Sequence, residues 1–97
     1  MSNNVKYKWM SLQEVLKYLP QIKKENVSVK ARSKDGFLTH YKKFKYANIM
    51  YDKLVPDSNM NWSTKRKLFI QRTLPAYKSN PTIRRKLALI AWAYYPE

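Results

Sequence analysis

Asn80-Pro-Thr-Ile-Arg-Arg-Lys-Leu-Ala-Leu-Ile-Ala-Trp-Ala-Tyr94 is the stretch that decides the fold. Asn80 is a residue type that accepts a first-turn amide, and Pro81 then occupies a first helical position, where its missing N–H is no loss. The spacing predicts a helix from Asn80 to about Tyr94. Ile83, Leu87, Ile90 and Tyr94 form one apolar face. Arg85, Leu89 and Trp92 lie on the opposite side. A helix that is apolar all round is either central to its fold or shared with a partner. The plainer reading places it at the centre of a small domain. The other makes Leu89 and Trp92 a protein interface or self-association face, with Arg85 at its rim.

Three further helices read outward from it. Ser11-Leu-Gln-Glu14 is a capping box, and Leu12, Val15, Leu16 and Leu19 follow at helical spacing. Pro20 is expected to stop this helix. The second helix is expected from about Phe37 to Leu54, with Phe37, Tyr41, Phe44, Asn48 and Tyr51 on one face. The third is expected to start at Ser63, with Phe69, Ile70, Thr73, Leu74 and Tyr77 inward, and to kink or end at Pro75. Val27-Ser-Val-Lys-Ala-Arg32 alternates like a strand but has no hairpin mate, so a loop or short helix is expected there. Residues 1–10 read as an extended arm carrying Lys6, Tyr7, Lys8 and Trp9. The expected architecture is all-α: a compact bundle of about four helices in residues 11–97, preceded by an extended basic arm.

Composition narrows the chemistry. The chain has 97 residues and no cysteine, so disulfides, thiolate metal sites and thiol catalysis are excluded. The single histidine, His40, has only Asp35 as a nearby acid, too little for a metal site. The single glycine, Gly36, makes no phosphate loop. The six acids are Glu14, Glu25, Asp35, Asp52, Asp57 and Glu97. None pair at helical spacing, and Glu14 is explained by the capping box. No enzyme and no cofactor are expected. The longest apolar run, Leu87 to Tyr95, is too short for a bilayer, which takes about 20 residues. No signal-peptide core precedes it.

The charge carries the functional signal. Twenty Lys and Arg stand against six acids, a net +14. The excess is spread through the chain, +8 in residues 1–49 and +6 in residues 50–97. Such a surface repels itself, and an anionic partner relieves that cost. Nucleic acid is the commonest such partner, gripped by counterion release at the phosphates. Three basic clusters are candidate contacts. Tyr41-Lys-Lys-Phe-Lys-Tyr46 turns Lys42, Lys43 and Tyr46 outward, with Tyr46 available to stack on a base. Lys65-Arg-Lys67 with Arg72 sits at a helix start, where exposed amides favour a phosphate. Cations are otherwise unfavourable at that end. Arg84-Arg-Lys86 begins another helix.

Two stretches taken together, Ala31-Arg-Ser-Lys-Asp-Gly-Phe-Leu-Thr-His-Tyr-Lys-Lys43 and Trp62-Ser-Thr-Lys-Arg-Lys-Leu-Phe-Ile-Gln-Arg72 with Asn80 to Tyr94, resemble small basic open reading frames of large DNA viruses. The resemblance covers about residues 31–95. It implies a viral setting, as does the abundance of Lys, Asn, Tyr and Ile, whose codons are A/T-rich. It implies no activity and no site residue.

The expected function is a small nucleic-acid-binding protein, viral or phage, that contacts the DNA or RNA backbone with little sequence readout. Its expected location is intracellular: the virion, or the host nucleus or cytoplasm. Lys42, Lys43, Lys65, Arg66, Lys67, Arg72, Arg84 and Arg85 are the expected phosphate contacts. The alternative is a structural or adaptor protein, such as a virion component, that clamps acidic surfaces of a larger assembly through Leu89 and Trp92. No membrane partner is expected.

Overall fold

In the computed structural model, which describes residues 7–56 and 58–96, the all-α expectation holds. The helical segments are α1 (Leu12–Lys24), α2 (Val29–Arg32), α3 (Phe37–Phe44), α4 (Ala47–Met50), α5 (Trp62–Ser79) and α6 (Ile83–Ile90). Four of these exceed a single turn or so. None of the described residues forms a strand, and the one β-type pairing is an isolated antiparallel bridge between Leu54 and Asn61. The central position expected for the last helix is observed: α6 packs against both α1 and α5, while α2 packs on α3 and α3 on α4.

The capping box at Ser11 forms as read. The Ser11 hydroxyl accepts from the Glu14 amide at 3.2 Å, and the Glu14 carboxylate accepts from the Ser11 amide at 3.3 Å. Pro20, however, does not end α1, which continues to Lys24. The ring is exposed, while Ile22, two residues later, is fully buried. Packing of that last turn outweighs the one backbone bond the proline removes. Pro75 is likewise exposed inside α5, which runs through to Ser79.

The expected second helix is two. Lys45 adopts a left-handed conformation, φ 70°, and closes α3 with a bond from its N–H to the Tyr41 carbonyl at 2.7 Å. The break changes the helical phase, so Asn48 and Tyr51 are exposed and Met50 is buried instead. The start of α5 moves as well. Asn61, not Ser63, caps it, its side-chain oxygen accepting from Thr64 N–H at 2.9 Å and from the Ser63 hydroxyl at 2.8 Å. At the next junction Thr82, not Asn80, is the N-cap of α6, accepting from Arg85 N–H at 3.1 Å. Asn80 closes α5, and Pro81 lies between the helices.

The core is aromatic. Trp92 is the middle ring of a three-layer stack, with Phe37 at 4.9 Å and Phe69 at 4.8 Å. Trp62 meets Phe37 edge-on at 5.7 Å. Offset stacks and edge contacts are the arrangements that aromatic quadrupoles favour. Trp92 reaches this place because the chain turns after α6. Ala93 is left-handed, φ 61°, and donates to the Ile90 carbonyl at 2.8 Å, while Tyr94 donates to the Leu89 carbonyl at 3.1 Å. These are the two bonds of a Schellman turn, so the helix ends before the expected Tyr94.

That turn leaves the carbonyls of Trp92 and Ala93 pointing away from the helix, and Arg66 takes both. Its Nε donates to Trp92 O at 2.7 Å, and Nη2 to Ala93 O at 2.8 Å. The other edge of the fork reaches the N-terminal segment, with Nη1 donating to Tyr7 O at 3.0 Å and Nη2 to Lys8 O at 2.9 Å. The guanidinium also lies 4.3 Å from the Trp9 ring centre. The arm is fixed at two further points. Met10 N–H donates to Ala93 O at 2.7 Å, and the buried Tyr41 hydroxyl donates to Met10 O at 2.6 Å. Residues 7–10 are thus extended but docked; residues 1–6 of the expected arm, Lys6 among them, lie outside the described residues.

Gly36 sits between α2 and α3, where a Cβ would overlap the carbonyl oxygens of Lys30 and Ala31. Its role is close approach, since its φ of −85° is open to any residue. Three substitutions test these constraints in urea unfolding. Arg66→Ala strands four carbonyls and is expected to lose at least about 3 kcal/mol, with Arg66→Lys recovering only part because an ammonium lacks the planar fork. Gly36→Ala is expected to lose about 3 kcal/mol by overpacking against backbone.

Candidate nucleic-acid interface

The expected contact residues separate into three groups. Arg66 leaves the list: it is 3% exposed and fully engaged by the main chain. Burial pushes its pKa down to about 10, against the opposing pull of Tyr41 and Tyr94. It therefore stays charged at neutral pH, but no phosphate can reach it. Burial pushes the pKa of the Tyr41 phenol up, and the Arg66 charge only partly opposes that shift.

The cluster at the start of α6 is held by its own chain. Arg84 donates to the Glu25 carbonyl and Arg85 to the Asn80 carbonyl at 2.9 Å. The Lys86 pKa is raised, first of all by a hydrogen bond with Tyr95. Arg84 is exposed, and Arg85 is half-buried. Both close junctions between helices.

Lys42, Lys43, Tyr46, Lys65 and Arg72 are exposed, and Lys67 is half-buried. Four of them, Lys42, Tyr46, Lys65 and Arg72, line two grooves. Lys42 and Tyr46 line one of about 690 Å³, between the start of α1 and the α3–α4 break. Tyr46 is 62% exposed there. Lys43 lies outside that lining, 5.4 Å from the Phe44 ring, which Lys53 approaches to 5.0 Å.

Lys65 and Arg72 line the second groove, of about 810 Å³, together with Lys30 of α2. Its floor is the edge of the aromatic core: Phe37, Trp62, Phe69 and Trp92. On α5, beyond Trp62 at its start, the lining residues fall at Lys65, Leu68, Phe69 and Arg72. That is one helical stripe, spaced i, i+3, i+4, i+7, with a cation at each end and apolar groups between. Leu68 is 48% exposed. Each cation also leans towards an aromatic ring, Lys65 5.9 Å from Trp62 and Arg72 5.9 Å from Phe69. Asp35 is the acid at this rim. Trp62 is buried, and its indole N–H finds no acceptor among the described residues.

The amide trap expected at the start of α5 is mostly filled by the protein. Trp62 N–H donates to Lys53 O at 2.8 Å, and Thr64 N–H to the Asn61 side chain. The three cations at this groove, Lys30, Lys65 and Arg72, and not the helix end, are what an anion would meet.

Leu89 and Trp92 are not an interface. Leu89 is 0% and Trp92 7% exposed, both consumed by the fold. The two-sided apolar character of α6 is that of a central helix, packed by α1 and α5. The self-association face built on these residues falls with it. Lys30, Asp35, Leu68 and Phe69 are groove residues that the sequence reading missed. The stripe Lys65–Leu68–Phe69–Arg72 was visible at helical spacing. Lys30 and Asp35 reach it only through the tertiary fold.

Among the described residues no group of three or more His, Asp or Glu side chains gathers at metal-binding distance, and no helix is long and apolar enough to cross a membrane. No protein-family model, curated protein or solved structure gives a significant match to this chain.

Trp92→Ala separates a core role from an interface role. As the centre of a three-ring stack, its loss is expected to lower stability by about 3–5 kcal/mol, read as a lower thermal unfolding midpoint. Lys65→Ala and Arg72→Ala, at exposed positions, are expected to leave that midpoint nearly unchanged.

Proposed function

We propose that this protein binds nucleic acid through its phosphate backbone, with little readout of base sequence. The observation that carries this reading is uncompensated positive charge on the outside of a folded core. Lys42, Lys43, Lys65 and Arg72 are exposed. The six acids of the sequence are too few to neutralise twenty cations. One of them, Glu14, is occupied in a helix cap. Two of those cations flank a groove instead of pointing randomly into solvent. Phosphates condense counterions, and each one neutralised by Lys or Arg releases them, which favours binding without reference to sequence.

The resemblance to viral open reading frames supports a viral setting, in genome packaging or as an accessory to replication or transcription. The adaptor alternative would use the same cations against an acidic protein, but the anchor pair that favoured it, Leu89 and Trp92, is buried.

The test is a fluorescence-anisotropy titration of random-sequence duplex and single strand at several salt concentrations. Affinity is expected to fall log-linearly with salt. The slope is about −0.9 per phosphate contacted on duplex and about −0.7 on single strands. Lys65→Ala and Arg72→Ala are each expected to reduce the slope by about one unit. Absence of binding at physiological salt overturns the proposal.

A further inference from the structure

We propose that the groove between α2 and α5 takes an unstacked base of a single strand, so that the protein prefers single-stranded nucleic acid to duplex. The proposal rests on the nucleic-acid reading above and specifies what that surface holds. A purely electrostatic site needs cations alone. This groove alternates cations with apolar groups along α5, from Lys65 through Leu68 and Phe69 to Arg72, and faces Lys30 across the gap. The two α5 cations are separated by seven residues, a rise of about 10 Å. They bracket an apolar patch and so suit backbone phosphates on either side of an inserted base.

The patch suits a base better than a sugar-phosphate edge. Leu68 is half exposed, and Phe69 is only partly buried above the Trp92 stack. Base stacking on such surfaces is tolerant of sequence because every base has a π-face. Duplex DNA offers phosphates to the rim but keeps its bases stacked inside, so the apolar patch stays wet. Asp35 at the rim repels phosphate and accepts from a base N–H, either an exocyclic amino group or the imide N–H of thymine. It thereby favours a base over a second phosphate at that end.

Three probes of equal length, about twelve nucleotides, decide the matter in anisotropy titrations: an oligothymidine strand, a strand with the same phosphates but abasic sugars, and a duplex. Oligothymidine is expected to bind about five- to a hundredfold tighter than the abasic strand, and tighter than duplex. It is also expected to quench tryptophan fluorescence, which the abasic strand leaves unchanged. Leu68→Glu is expected to abolish the thymidine-to-abasic ratio. Both strands carry the same phosphates, so the added charge cancels in that ratio. Lys30→Ala, at an exposed position, is expected to weaken single-strand binding more than duplex binding and serves if Leu68→Glu fails to fold. Equal affinity for oligothymidine and abasic strand, or a ratio that survives Leu68→Glu, overturns the base-binding groove while leaving backbone binding intact. Salt-independent behaviour, or no binding by any probe, overturns the backbone reading and the groove with it.

Discussion

Everything in this fold meets at the guanidinium of Arg66. A charged group this deeply buried is costly unless its donors are satisfied, and here the acceptors are four main-chain carbonyls. Two of these are the carbonyls left open where α6 turns, the end at which a helix dipole favours a cation. The other two belong to an extended segment with no helix or sheet of its own. One side chain thus caps the central helix, anchors the N-terminal segment and fixes α5 against both. Trp9 covers the guanidinium, and the Tyr41 hydroxyl secures the same segment one residue on. The aromatic stack around Trp92 depends on this arrangement, because the turn that Arg66 caps is the turn that carries Trp92 inward.

The helices were legible where a local interaction defines them. The Ser11–Glu14 box is complete within four residues, and it appears as read. The all-α class followed from apolar spacing, which survives small errors of boundary. The breaks were less legible. Pro20 and Pro75 look like stops in sequence, yet both face solvent and both helices continue; past Pro20 the buried Ile22 holds the last turn of α1. Lys45 carries no local sign of a left-handed conformation, and missing it turned Asn48 and Tyr51 inward on paper. Asn80 and Ser63 are good capping residues by type. Asn61 and Thr82, better placed by the packing of Trp62 and Leu87, took the positions instead.

The surface was legible in sum and not in detail. Net charge is a count, independent of fold. Which cation faces water is not, and Arg66 shows the difference: flanked by Lys65 and Lys67, it looks like the middle of a basic patch. A helix turns about 100° per residue, so neighbours in a basic run point in different directions. Lys65 goes to the groove, Arg66 goes to the core, and Lys67 is half-buried. Leu89 and Trp92 illustrate the converse, apolar groups that seemed surplus to one helix face and are used by a second packing partner.

The acceptors of Arg66 are far apart along the chain, 26 and 27 positions on one side and 58 and 59 on the other. Contacts of such span are slow to form and lend little to early folding. During synthesis α1, α3 and α5 are made before residues 92–93 exist. Until those residues leave the ribosome, the guanidinium lacks half its acceptors and the aromatic stack lacks its central ring. A nascent chain of this protein therefore carries its helices in a loose state and locks only when residue 93 is free. Its folding is a late, all-at-once event that waits for the turn after α6.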